Sequence, residues 1–314
     1  MWRYIGLALV GIVVVVSGFS LLDVSGGGDV GAAAVLESAE ISTDNYRAVD
    51  NPNYEWNFPA DHGPHEDYLT EWWYYTGNVA TEDGRRFGFQ FTVFRRAILP
   101  DEPEQDSEWR SRQIYNGHVT ISDFETEVFF KEERFGRGAA GLAGATADPR
   151  YRVWLEDWEV IALNDDATEI RMTATVEDAA FDLTLTRVKP IVLQGEDRNG
   201  LSSKGGEASN ASYYYSITRM ETAGTITIEG TTYDVSGLSW MDHEFSTGAL
   251  PEGTRGWDWF GLIFDDTTEV MLAQVRAEEG AGEGTMFGMF VDENSESYYL
   301  PVGAFQMEPL DSWT

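Results

Sequence analysis

Residues 240–245 read Trp-Met-Asp-His-Glu-Phe: an imidazole between two carboxyls, with aromatic rings at both ends, in a chain of only four histidines. These residue types suit proton transfer. A carboxyl buried among aromatic rings is held protonated toward neutral pH, where it can donate, and imidazole can take or orient a proton. On an extended strand, Asp242 and Glu244 fall on one face and His243 on the other, beside Met241 and Phe245. The candidate catalytic groups are therefore Asp242, His243 and Glu244. The same three groups would equally serve a sheet end, satisfying hydrogen bonds and pairing with Arg219 or Arg255.

Two aromatic runs offer walls for such a centre. Glu71, Trp72, Trp73 and Tyr74 open the stretch EWWYYTG, and Trp257, Asp258 and Trp259 sit in GWDWFGL. Trp and Tyr line apolar pockets while presenting a polar tip, so with Phe245 these residues form a candidate ligand-binding set; core packing is the competing use. HGPHED places His62 and His65 near Glu66 and Asp67, but Gly63 and Pro64 break the helix that would juxtapose the imidazoles, and no metal is expected. His118 stands alone on a strand and reads as a hydrogen-bonded edge residue. Neither a G-x-S-x-G elbow nor H-E-x-x-H, a P-loop or a dinucleotide fingerprint occurs.

The elements that must position these residues are strands. In RRFGFQFTVFRR, Phe87, Phe89, Phe91 and Val93 share one face while Gly88, Gln90 and Thr92 share the other, and the acidic turn TEDG joins this run to EWWYYTGNV as a hairpin over 71–96. A similar hairpin occurs at GWDWFGLIFDDTTEVMLAQVR, which favours two related β units over one. Between them GHVTIS, RVWLEDWEV, EIRMTATV, FDLTLTRV, SYYYSITR and GTITIEG read as further short strands. Residues 193–212 are long for a connection and are expected to be a disordered loop or a functional flap.

Composition limits the setting. Cysteine is absent, which excludes disulfides and thiolate chemistry. Fifty-four acids against twenty-one bases give a net charge of −33, and only three of the bases are lysine. Such a surface repels nucleic acid, and its dispersed acidity suits solubility in high salt, so a halophilic source is expected. The uncharged run from Tyr4 to Leu22 comes after a single Arg3 and lies between a signal-peptide core and a spanning helix; either use exports the rest of the chain. Residues 1–24 are read as a signal peptide or membrane anchor, and 25–50 as a flexible linker.

EWWYYTGNV, FGFQFTVFRR, LQG, LSSKG, ASYYYSITR, WMDHEF and GWDWFGL occur in the order found in the carotenoid 1,2-hydratase (hydroxyneurosporene synthase, CrtC) and AttH-like lipocalin family, which the chain resembles from about residue 54 onward. The resemblance implies an all-β protein of two lipocalin-like, calycin-type antiparallel barrels, over 51–247 and 248–314, the second shortened. It implies an exported protein that adds water across a double bond, or hydrolyses, without a cofactor, acting on an apolar isoprenoid or lipid-like molecule. The family's Asp-His pair falls on Asp242 and His243. Phe245 stands where Trp is usual, and Ala273 where Tyr or Phe is common. For an enzyme, the expected mechanism has Asp242 delivering a proton, a nearby aromatic such as Trp257 stabilising cationic charge, and His243 positioning or deprotonating water. The rival reading is a non-catalytic carrier of apolar ligands working beside an ABC-type membrane exporter.

Overall fold

The computed structural model describes residues 43–101, 107–248, 250–251, 253–278 and 284–308. The expected N-terminal helix lies outside them. Among the described residues every regular element is a strand, apart from one 3-10 turn at Ala60–His62, and no helix is long and apolar enough to cross a membrane.

In chain order the strands are β1 (Thr70–Ala80), β2 (Arg86–Ala97), β3 (Gln113–Asp123), β4 (Val128–Arg137), β5 (Ala143–Thr146), β6 (Arg152–Leu155), β7 (Trp158–Ala162), β8 (Glu169–Val176), β9 (Ala179–Arg187), β10 (Val192–Leu193), β11 (Leu201–Ser203), β12 (Ala211–Ile228), β13 (Thr231–Ser246), β14 (Thr254–Ile263), β15 (Glu269–Ala277), β16 (Thr285–Val291) and β17 (Ser297–Leu300). The first thirteen form one sheet, in the order β4-β3-β2-β1-β13-β12-β9-β8-β7-β6-β5, with β10 and β11 added to β12. The sheet curls into a nearly closed barrel. Its ends meet through side chains: a Cβ at Gly136 would stand 2.5 Å from Leu155, and Arg134 pairs with Asp157 while its guanidinium lies 4.2 Å from the Trp158 ring centroid. Period-two alternation fills the interior, where Trp73, Phe87, Phe91, Val119, Leu155 and Trp158 are essentially inaccessible.

The second sheet is a four-stranded meander, β14-β15-β16-β17. Met271, Ala273, Val275, Phe287, Met289 and Val291 pack in one cluster with Val192, Tyr214 and Trp240 of the large sheet. A seam thus runs between the small sheet and the outer wall of the barrel along β12 and β13. The two expected hairpins are β1–β2 and β14–β15.

Two stretches differ from the sequence reading. SYYYSITR and GTITIEG belong to one strand, β12, whose register against β13 shifts between Ile217 and Met220. The irregularity changes which residues face out, so Arg219 and Ser216 both look into the seam. Residues 193–212 are held by backbone pairing, Leu193 opposite Tyr215 and Leu201 opposite Tyr213. Gly195 permits the turn between them: its φ is +95°, and a Cβ there would sit 2.0 Å from the Leu201 carbonyl oxygen.

Candidate functional site

The alternation expected for residues 240–245 is present, and both faces of β13 are covered. Met241 and His243 enter the barrel, and Phe245 packs in the aromatic cluster at its mouth, while Trp240 and Asp242 face the seam. Opposite them on β1, Glu71, Trp73 and Tyr75 are buried on the barrel side, and Tyr74 meets Trp259 of the small sheet at 5.3 Å between ring centroids. The candidate residues therefore divide into two groups on opposite faces of one strand pair.

On the barrel side the centre is Glu71, with no solvent exposure. Arg95 Nε donates to its Oε2 at 2.8 Å, and His65 Nδ1 and His243 Nε2 each lie 2.8 Å from its Oε1. Burial alone would raise this carboxyl, but the Arg95 guanidinium and the two imidazole hydrogen bonds outweigh it and hold Glu71 well below the usual carboxylate range. An ionised Glu71 only accepts, so His243 Nε2 carries a proton and Nδ1 accepts from the Tyr215 hydroxyl at 2.9 Å. Tyr215 then accepts from His62 Nδ1 at 2.6 Å. His62 Nε2 has no partner among the described residues, and this ring lines an internal cavity of about 10 Å³, the scale of one water. Burial, together with His243 and Arg187, pushes His62 down to about 3, so it is neutral. Burial also lowers His243. His65 is raised: burial opposes its charge, yet hydrogen bonds to Asp61 and Glu71 prevail. Its ring stacks on Phe245 at 3.6 Å and lines an open basin of about 480 Å³ with Tyr54, Tyr68 and Arg47.

His65, Glu71 and His243 offer three metal-ligand atoms within 4.8 Å of one another. Direct hydrogen bonds join these atoms, and Arg95 balances the carboxylate. His62 does not join His65 in the pairing weighed from HGPHED; Glu66 pairs with Arg112.

On the seam side Asp242 is the centre. Ser216 Oγ donates to its Oδ1 at 2.5 Å and Trp240 Nε1 to the same oxygen at 2.8 Å. Burial raises the carboxyl to about 7, against those hydrogen bonds and one from Tyr214. Glu244 accepts from Ser212 and pairs with Lys204 Nζ at 2.7 Å. Trp259 Nε1 donates to the Tyr214 hydroxyl at 3.3 Å. At the other end of the seam Glu269 is fully buried between Arg219, at 2.5 Å, and Lys189, at 2.8 Å. Arg219 thus serves Glu269 instead of the Asp242–Glu244 pair.

Two sequence candidates lie apart from both centres: Trp257 is 45% exposed, and Asp258 makes a 3.5 Å pair with Arg276 near the surface. Trp72 stands opposite Glu244 on the neighbouring strand and packs at a tilt against Phe94. Sequence reasoning weighed His65 only as a metal ligand, and missed Arg95 and Tyr215 on the barrel side and Gln194, Ser216 and Lys204 in the seam. Lysine rarity was the available signal, since two of the chain's three lysines lie against this seam.

The AttH-like family model matches residues 49–314, which include both centres. The chain belongs to the AttH-like family. Among solved structures, this AttH-like protein is similar to a protein described as a putative AttH from Nitrosomonas europaea, at 29% identity and a TM-score of 0.74, over 84% of this chain and 78% of that one. It shares the fold of kievitone hydratase from Nectria haematococca, at 14% identity and a TM-score of 0.57, over 82% and 72% of the two chains. No curated protein matches the sequence significantly.

Proposed function

We propose that this AttH-like protein is a cofactor-independent hydratase, or a hydrolase of the same acid-catalysed type, acting on an apolar isoprenoid or lipid-like molecule in the seam. One observation carries the reading: Asp242, 5% exposed and raised to about 7, is a proton donor at neutral pH surrounded by Tyr74, Tyr214, Trp240 and Trp259. Protonating an isolated double bond leaves a cation on carbon, and indole or phenol faces stabilise such charge. Trp240 and Trp259 take the part expected of Trp257. His243 lies behind the strand and supports β13 through Glu71 and Tyr215. The fold shared with kievitone hydratase is compatible with addition of water, and the carotenoid 1,2-hydratase resemblance of the motifs points the same way. Access to Asp242 requires the small sheet to lift from the barrel. The uncharged run at residues 4–22 supports action outside the cytoplasm, with the segment either cleaved or retained as an anchor.

The test is incubation with isoprenoid alkenes of increasing length, then mass spectrometry for the gain of one water. Asp242→Asn should abolish the product while leaving the far-UV spectrum and alkene binding intact. An Asn variant as active as wild type would refute the assignment, and binding without turnover in wild type would favour the carrier, alone or beside an exporter.

A further inference from the structure

Gln194 carries into the seam a polar atom with nothing to bond among the described residues. The residue is completely buried; its backbone N–H donates to the Tyr214 carbonyl at 3.0 Å, and its Nε2 donates to Ser216 Oγ at 2.8 Å. Ser216 in turn donates to Asp242. Gln194 Oε1 is left without a donor. The orientation of the amide follows from Ser216, whose single hydrogen goes to Asp242 Oδ1: the hydroxyl can only accept from Gln194, which sets the amide nitrogen toward Ser216 and leaves the oxygen as the open end. Buried amide oxygens almost always have a donor, so this one marks the place of a group from outside the chain.

Its neighbours define that group. The amide oxygen asks for a donor. The oxygen lies one amide width from the nitrogen that holds Ser216, and Ser216 holds Asp242, so two hydrogen bonds link this open end to the carboxyl. Val192, Tyr214 and Trp240 make the surroundings apolar and crowded, which suits a small hydroxylic molecule. We propose that Gln194 Oε1 holds the water that adds to the substrate next to Asp242, making Gln194 the positioning residue for hydration.

The inference rests on the hydratase reading and completes its chemistry. The Asp242 O–H bond breaks as the alkene π pair forms a new C–H bond, leaving the adjacent carbon cationic. Water that gives one O–H to Gln194 turns a lone pair toward that carbon, and a C–O bond forms. The proton it sheds passes to the Asp242 carboxylate and restores the acid. One alkene and one water give one alcohol, with no change of oxidation state elsewhere.

The test compares wild type with Gln194→Met, which keeps the side-chain length and loses the acceptor, on C10–C40 isoprenoid alkenes in D2O. The readout is the ratio of deuterated alcohol to deuterated, isomerised alkene. A cation deprived of positioned water loses a proton instead, so the variant should still place deuterium on carbon while the alcohol share falls at least tenfold. A merely structural role reduces both products together, and an unchanged ratio overturns the proposal. Wild type forming neither product overturns the hydratase reading and the catalytic part of this one. Independently of turnover, a crystal structure at atomic resolution should show a water within hydrogen-bond distance of Gln194 Oε1; a dry oxygen, or a protein donor there, rejects the site.

Discussion

Replacing Glu71 by Gln tests whether the barrel-side network is an ionic assembly. Its two oxygens meet Arg95 Nε, His65 Nδ1, His243 Nε2 and the His65 backbone N–H. An amide keeps one oxygen and presents N–H to the other set of donors, so donor faces donor in either orientation. It also leaves the fully buried Arg95 guanidinium without its counter-charge. Removing one partner of a buried pair costs about 3–5 kcal/mol. At roughly 2–4 °C per kcal/mol for a protein of this size, the melting midpoint should fall by ~6–20 °C. The assay is calorimetry at pH 7 with urea titration as a second measure. Asp182→Asn is the control, because its partner Arg171 and Asp182 itself are about half exposed, and surface pairs contribute no more than about 1 kcal/mol. A Glu71→Gln loss no larger than the control's would refute the reasoning. The pH dependence has a definite sign. With its folded value below its unfolded value, Glu71 contributes stability that is present above the ordinary carboxylate range and lost as pH falls through the folded value.

Asp242 has the opposite sign: raised from 3.8 to about 7, it favours the folded state fully below its unfolded value and loses that contribution as pH rises toward 7, a span of order 4 kcal/mol. Asp242→Asn should flatten the stability profile over that window and match or exceed wild type above it, as measured by urea midpoints from pH 4 to 8; a parallel, downshifted profile would count against a protonated Asp242. Glu269→Gln leaves Arg219 and Lys189 sharing one amide oxygen and should cost about 3–5 kcal/mol, with faster hydrogen exchange at the start of β15 than in the β8–β9 pair; equal exchange changes in both regions would mean that Glu269 does not act at the seam.

Much of this architecture was legible in local patterning. Period two identified the strands, and parity alone assigned Asp242 and Glu244 to one face and His243 to the other. What parity does not contain is the identity of whatever covers each face. Glu71 meets His243 through β1–β13 pairing across 172 positions, and His65 reaches Glu71 by a turn that Gly63 and Pro64 disguised. The Ile217–Met220 irregularity reverses the parity that a regular strand would give Arg219. Gln194 and Lys204 belong to a stretch whose polar and glycine-rich composition suggests a loose loop, whereas strand addition to β12 holds it. Trp257 looked like a pocket residue by type and is exposed on the edge strand β14, a property of sheet order that no local pattern encodes.

The placement of the three lysines has a practical corollary. Lys189 and Lys204 are tucked against the small sheet, 8% and 14% accessible at the side chain, whereas Lys131 lies on the barrel exterior. Amine-directed reagents therefore meet one ready target on the barrel and two sheltered ones. Acylation at Lys204, tracked over time by peptide mapping with Lys131 as the internal standard, becomes a built-in clock for how often its pairing with Glu244 opens to solvent.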